Sequence, residues 1–358
     1  MHQAVERSDV VVFTGGLGPT DDDLTKETVA AAFGMTVEPV PEEVEKLTKY
    51  FAARGYPMTP NNYKQASFPK GSIIVPNDFG TAPGCILSAG GKTAILLPGP
   101  PRELFPMFQN HVMPYLERMA GAKLFSRELH IFGMGESSAT YQLRDIIENQ
   151  TNPTVAPYVK TGEVTLRVTA LCQNDEEGEA LVRPMIGEIV ARLGDVVYST
   201  VGESLPETCA RMLMDDRLTL AVAESCTGGL IASEFVAIPG CSNFLLEGCV
   251  AYSNEAKMRR LGVKRETLDA FGAVSEQCAR EMAEGMLASS KANLALATTG
   301  FAGPDGGTAE NPVGTVYIAL ACASGTEVKR LSLHGERARI RELTALNAFD
   351  LLRRTLSK

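Results

Sequence analysis

Histidine is scarce in this chain: among 358 residues only His2, His111, His130 and His334 are present, so a hydrolase built on a histidine base has few candidates. Zinc-site and disulfide signatures are lacking too. The eight cysteines (Cys85, Cys172, Cys209, Cys226, Cys241, Cys249, Cys278, Cys322) are scattered, with no CxxC pair and no adjacent histidine. That pattern argues for reduced intracellular thiols. No long uncharged apolar run occurs and no charged-then-apolar leader opens the chain, so neither membrane spanning nor secretion is expected and the chain reads as cytoplasmic. Positive charge is in deficit, with a formal net charge of −9, which disfavours nucleic acid and anionic membrane as partners. Repeats and low-complexity stretches are absent. What remains is a chain with 44% apolar residues, long enough for two or three domains.

Three segments differ in pattern. The first opens on the apolar run Asp9-Val-Val-Val-Phe13, read as a buried strand, ending in Thr14-Gly15-Gly16. Helices are expected over 24–33, stopped by Gly34, and over 41–54, where Pro41 suits the first turn and Gly55 the end. With a strand over 93–97 and another helix after Pro98-Gly-Pro-Pro101, this alternation predicts a mostly parallel α/β sheet. The second segment carries strands over 129–132, 164–171 and near 196–198, with helices over 138–148 and 179–193, a small α+β domain. Between 125 and 204 six basic residues face twelve acidic ones, a net of −6. The third segment places a helix over 207–215, a buried strand over 218–223, a helix over 275–291, a strand over 294–298, two further strands and a long final helix. The expected domains are 1–122, 123–203 and 204–358.

Chemistry concentrates in the third segment. Ser225 stands where a buried strand runs into Glu224-Ser-Cys-Thr-Gly-Gly229, with Thr227, Gly228 and Gly229 keeping the turn open to a ligand. A serine there is either a nucleophile or the cap of a helix. A nucleophile needs a base, and lysine serves when burial lowers its pKa. Lys257, one turn after Ser253 and close to Tyr252, is a candidate base or an ordinary solvated lysine. The loop 299–307, with Thr299, Gly300, Gly303 and Gly306, has the backbone freedom to cradle an anion or to be a plain surface turn. Arg337 can grip a phosphate or face solvent.

Glu224-Ser-Cys-Thr-Gly-Gly229, Tyr252-Ser-Asn-Glu-Ala-Lys257, Gly272-Ala-Val-Ser275 and Gly300-Phe-Ala-Gly-Pro-Asp-Gly-Gly307 occur in this order along the chain. Together they closely resemble the C-terminal domain of the competence/damage-inducible protein A (CinA) family. The resemblance implies an amidohydrolase acting on nicotinamide mononucleotide without a cofactor. Ser225 is then the nucleophile, activated by Lys257 with Tyr252, and Thr299 and Arg337 complete the pocket.

At the other end, Gly15-Gly-Leu-Gly-Pro-Thr-Asp-Asp-Asp-Leu-Thr25 resembles the glycine-rich loop of molybdopterin-binding domains and, more closely, the N-terminal domain of the CinA family. Asn77-Asp-Phe-Gly-Thr-Ala-Pro-Gly84 and Leu97-Pro-Gly-Pro-Pro-Arg-Glu103 fit the same family. The resemblance implies a nucleotide site at Gly15, Gly16, Gly18, Thr20 and Thr81, with Asp22 and Asp23 holding a divalent metal, as in members that hydrolyse ADP-ribose. It also implies a strand ahead of this loop that is missing from the sequence, so an incomplete sheet and a weak N-terminal activity are expected. The middle segment resembles the KH-like module of the family. Gly133-Met-Gly135-Glu136 is not a GXXG loop, and the charge of −6 repels phosphate backbones, so a structural spacer is expected. The expected assembly is a homo-oligomer, a dimer. Two competing functions are a metal-dependent ADP-ribose pyrophosphatase and a noncatalytic competence or DNA-damage adaptor.

Overall fold

The computed structural model describes residues 2–358. Two compact units divide the chain, Met1–Lys123 and Leu124–Lys358.

In the first unit, α1 (His2–Arg7) leads into β1 (Val10–Thr14), followed by α2 (Thr25–Ala32), β2 (Val37–Pro39) and α3 (Pro41–Ala53). Then come β3 (Ser67–Pro69), β4 (Ile73–Val75), β5 (Gly84–Ala89), β6 (Lys92–Leu97), α4 (Pro101–Met107) and α5 (Met113–Ala120). The main sheet runs β1-β6-β5-β4. Apolar side chains pack on both its faces: Val29, Phe68, Leu87 and Leu96 on one, Ile86, Ile95, Leu97 and Met107 on the other. The expected α/β layering is present, but strand direction differs. Only β1–β6 is parallel, while β6–β5 and β5–β4 are antiparallel. The cause is local: Gly90 and Gly91, both at positive φ, make a two-residue hairpin turn that can join only antiparallel strands. β1 is half-buried rather than buried, with Val12 exposed, because it pairs on one side only.

The second unit opens with β7 (Lys123–Phe132), α6 (Glu136–Gln142), α7 (Arg144–Asn149), β8 (Thr154–Lys160), β9 (Glu163–Cys172), α8 (Asp175–Leu193) and β10 (Val197–Ser199). Their sheet has the order β10-β7-β9-β8. β8 escaped the sequence reading because Pro157 interrupts its pattern. Proline is tolerated there because β8 is an edge strand. The helix expected over 138–148 breaks at Leu143 into α6 and α7.

The remainder is α9 (Leu205–Asp215), β11 (Leu220–Glu224), α10 (Leu230–Val236), β12 (Leu245–Val250), α11 (Asn254–Leu261), α12 (Arg265–Phe271), α13 (Glu276–Ser290), β13 (Leu294–Gly300), β14 (Thr315–Cys322), β15 (Gly325–Ser332) and α14 (Arg337–Leu356). α9 is started by a capping box in which Ser204 and Glu207 satisfy each other's backbone N–H groups. Its sheet, β12-β11-β13-β14-β15, is parallel through β12, β11 and β13 and antiparallel beyond. Residue size alternates with the pleat. Ala221, Ala223, Ala295, Ala297, Ala319 and Ala321 form a shallow face that admits α13 closely. Leu220, Val222, Leu294, Leu296 and Leu320 form the opposite face, packed with α9 and α14 side chains such as Cys209 and Phe349.

Phe132 and Tyr198, from the middle segment, lie in that same core. Arg353 of α14 donates to Asp195 O at 3.0 Å, and Arg354 pairs with the Asp195 carboxylate. A fragment 204–358 should therefore fold but melt below a fragment 124–358. Losing one buried side chain of this kind removes about 1.5–3 kcal/mol, or roughly 3–10 °C for a domain of this size. Equal melting temperatures of the two fragments would show that the middle segment adds nothing to that core.

Candidate active site

β11 is buried along its whole length between β12 and β13, and Ser225 follows it directly. The helix does not start there. Residues 225–229 form a turn and α10 begins only at Leu230, with Gly229 as its N-cap, so Ser225 is not a cap. Gly228 and Gly229 lie at φ +63° and +93°, a left-handed pair that glycine alone adopts without strain. The capping work falls to Glu224, 1% exposed, which accepts from the backbone N–H groups of Gly229 (2.9 Å), Ile231 (3.2 Å) and Ala232 (2.9 Å). From the other side, Arg341 of α14 donates to Cys226 O at 3.2 Å and Thr227 O at 2.7 Å. Neither residue was singled out in the sequence. Glu224 lay within the quoted motif, whereas Arg341 sits 115 positions from its partner.

Lys257 reaches this turn from α11. Ser253 caps that helix by accepting Ala256 N–H, and the helix packs so closely on α13 that a Cβ on Gly285 would lie 1.7 Å from Leu261 O. The result is a lysine only 1% exposed, not a solvated one. Its Nζ lies 3.0 Å from Ser225 Oγ, 2.9 Å from Ala251 O and 3.1 Å from Tyr252 O. Two of these partners are carbonyls, which only accept, so they take two N–H bonds. The third direction points at the Ser225 hydroxyl, where a neutral amine has its lone pair. Burial holds the Lys257 pKa below the ordinary lysine value, beside the Cys278 and Cys226 thiols. Both thiols are themselves pushed up to about 11 by burial and stay protonated at neutral pH. Among the described residues no carboxylate pairs with Lys257.

The remaining expected residues divide. Thr227 is 0% exposed, its hydroxyl 2.8 Å from that of Thr298, so its side chain braces the turn from within. Thr299 is also buried and donates to Ala273 O at 2.7 Å. Gly300 closes against Thr315 and Val316, and a Cβ there would sit 2.6 Å from the Val316 side chain. Gly303 and Gly306, at φ +80° and +99°, shape the following loop. Arg337 fastens that loop: it donates to Gly303 O at 2.7 Å and to Tyr252 Oη at 3.1 Å. Tyr252 itself is 61% exposed. Tyr252 meets Lys257 through its main-chain carbonyl, and its hydroxyl faces Arg337. His334 is exposed.

In the first unit a cleft of about 340 Å³ is lined by Gly15, Gly16, Gly18, Asp23 and Thr81, together with Gln65 and Glu103. The glycines permit close packing: a Cβ on Gly16 would lie 2.2 Å from Thr25 Oγ1, and one on Gly18 2.5 Å from Asp23 Oδ2. Thr20 and Asp22 lie outside the cleft lining. The Thr20 hydroxyl is 2.5 Å from both the Asp22 and the Asp23 carboxylate, and bonding from Thr20 keeps Asp23 below the usual carboxylate range. Among the described residues no three His, Cys, Asp or Glu side chains converge on a metal position. The donors do not make a protein-only cage, and a cation there would depend on oxygens of a bound phosphate. The sequence reading also passed over Lys26, which is 2% exposed beside Phe68, donates to Lys64 O and Gln65 O, and is lowered by burial to about 8.

Three family models match in succession: the probable molybdopterin binding domain over residues 1–118, the damage-inducible protein CinA KH domain over 126–199, and the CinA C-terminal domain over 202–356. A relative from Acetivibrio thermocellus, named for competence-damage inducibility, is 49% identical over 355 residues, which are 99% of this chain and 86% of that protein. This chain belongs to the CinA family. A CinA-like protein from Kosmotoga olearia is 48% identical over 354 residues, with the same coverage. Among solved structures, a CinA superfamily protein from Klebsiella pneumoniae shares 36% identity, covering 43% of this chain and 96% of its own, with a TM-score of 0.42. A competence/damage inducible protein from Agrobacterium tumefaciens shares 41% identity, covering 45% and 100%, with a TM-score of 0.41. CinA members include amidases, and the names of these relatives speak only of competence and damage. No helix among the described residues is long and apolar enough to cross a membrane.

Proposed function

We propose that this CinA protein hydrolyses the carboxamide of nicotinamide mononucleotide to nicotinate mononucleotide and ammonia. The observation that carries the reading is the buried Lys257 Nζ, 3.0 Å from Ser225 Oγ and turned toward it by two carbonyls. Lysine held neutral there removes the Ser225 proton as Oγ attacks the carboxamide carbon. The Lys257 ammonium then returns that proton to the amide nitrogen, and ammonia leaves. Water, deprotonated by the same amine, cleaves the resulting ester and restores Ser225. The oxyanion needs N–H donors. Those of Gly229, Ile231 and Ala232 are taken by Glu224 and that of Gly228 by Ser225 O, which leaves the N–H of Cys226, the residue after the nucleophile, for this role. An adaptor has no use for a lysine buried against a serine, which favours the enzymatic reading. The test is ammonia release from nicotinamide mononucleotide, monitored with the nicotinate product. A well-folded chain that releases none would end the proposal.

Arg337 spends two of its five N–H donors on Gly303 O and Tyr252 Oη and remains exposed, with donors left for the substrate 5′-phosphate. Arg337→Ala should raise KM roughly 10- to 100-fold, since a charged hydrogen bond is worth about 1.5–3 kcal/mol, with a smaller effect on kcat. The riboside, which lacks the phosphate, should scarcely register the change. Equal losses on both substrates would remove the phosphate role.

A further inference from the structure

Tyr252 meets the site with two different atoms. Its main-chain carbonyl accepts from Lys257 Nζ at 3.1 Å, and its phenolic oxygen accepts from Arg337 Nη2 at 3.1 Å. The hydroxyl is bonded to neither Ser225 nor Lys257, so it has no path to the proton that moves between them. A phenol both accepts and donates. Arg337 uses the oxygen as an acceptor, and among the described residues nothing takes the proton. The pair is solvent-exposed, so a ligand can reach it. The main chain of Tyr252 lies against Lys257, whose Nζ is 3.0 Å from Ser225 Oγ, which places the hydroxyl one tyrosine side chain from the base. That span is comparable with the one between the carboxamide and the 5′-phosphate of a nicotinamide nucleotide. On its other side Arg337 is pinned by Gly303 O at 2.7 Å. Guanidinium and phenol thus hold each other and offer N–H and O–H donors together, and a phosphate monoester has acceptor oxygens for both.

We propose that the Tyr252 hydroxyl is a specificity-determining group, donating its proton to the same 5′-phosphate that Arg337 binds and so selecting the mononucleotide over its riboside. This rests on the amidase reading above. The side chain of Tyr252 serves binding, and the proton transfer at Ser225 proceeds without it.

The experiment compares wild type with Tyr252→Phe, which keeps the ring and the carbonyl that Lys257 uses and removes only an exposed hydroxyl. Ammonia release gives kcat and KM for nicotinamide mononucleotide and for its riboside across pH. A second measurement needs no turnover. A fluorophosphonate probe labels Ser225, followed by intact mass, and the slowing of labelling by nicotinate mononucleotide or nicotinate riboside gives the affinity of each. Tyr252→Phe should raise KM for the mononucleotide and weaken its protection roughly 10-fold, the lower end for a hydrogen bond to a charged group. Both measurements on the riboside, together with kcat and the pH midpoint, should stay close to wild type. The proposal is overturned by unchanged KM and protection for the mononucleotide, by equal losses on the riboside, by a loss carried in kcat, or by a displaced pH midpoint. Wild-type protein that releases no ammonia, yet is protected by the mononucleotide in a manner that Tyr252→Phe weakens, would defeat the amidase reading and uphold the hydroxyl as a phosphate ligand. Ammonia release from a Tyr252→Phe variant indistinguishable from wild type would do the reverse.

Discussion

Lys257→Arg should leave a folded protein that has lost most of its turnover, by roughly 10²- to 10⁴-fold, the range of a general base. Charge is conserved in this substitution, so the loss tests the need for a neutral amine. Arginine cannot release its proton near neutral pH. In the wild type, burial disfavours the ammonium form and lowers the Lys257 pKa. Activity should accordingly rise with pH through a midpoint below the ordinary value of about 10.4. The same shift has a stability consequence of definite sign. The unfolded chain binds the proton more readily than the folded one between the depressed and the ordinary pKa, so stability rises with pH across that window. Below the window the full cost of the buried charge is present. The midpoint is read from a pH–rate profile and the stability slope from denaturation at several pH values. If Lys257→Arg keeps most of the rate, Lys257 acts as a fixed charge, and the exposed His334 becomes the next base to examine.

The second large effect belongs to Ser225→Ala, expected to cost on the order of 10⁶-fold in kcat, as for other serine nucleophiles. Only a hydroxyl is removed, and Lys257 Nζ retains Ala251 O and Tyr252 O, so the melting temperature should change little. The double variant Ser225→Ala, Lys257→Arg should be no slower than Ser225→Ala alone, because the two residues perform one step. Losses that multiply in the double variant would mean that they act independently, and the dyad would have to be abandoned.

The arrangement of Ser225, Lys257 and the glycine loop was legible because local chemistry marks it. A buried strand entering Ser-Cys-Thr-Gly-Gly, a serine-capped helix beginning after Tyr252, and glycines clustered in 300–307 are each detectable within a few residues. Partners far apart in the chain were not. Arg341 finds Cys226 and Thr227 across more than a hundred positions, and a lone arginine on a helix carries no sign of what its guanidinium meets. Whether Ser225 caps a helix was undecided for a related reason. A turn followed by helix and a helix starting at once have the same composition, and what delays it is the Glu224 carboxylate collecting three N–H groups.

In the first unit, β1 and β6 followed from apolar runs, but β5 and the antiparallel direction it imposes depended on the turn at Gly90-Gly91, which the helix–strand alternation concealed. For Tyr252 the sequence placed the residue at the strand end beside Lys257, and the tertiary structure decided which of its atoms is used. Its carbonyl accepts from Lys257 Nζ, while its hydroxyl accepts from Arg337. Residue types, their order and the α/β class were thus written in short-range pattern, where hydrophobic period and turn chemistry act over one or two elements. Whether Lys257 is a base or a surface charge was not. Its pKa depends on the water removed by α11, α13 and β11 together, and desolvation exists only once those elements have closed on one another.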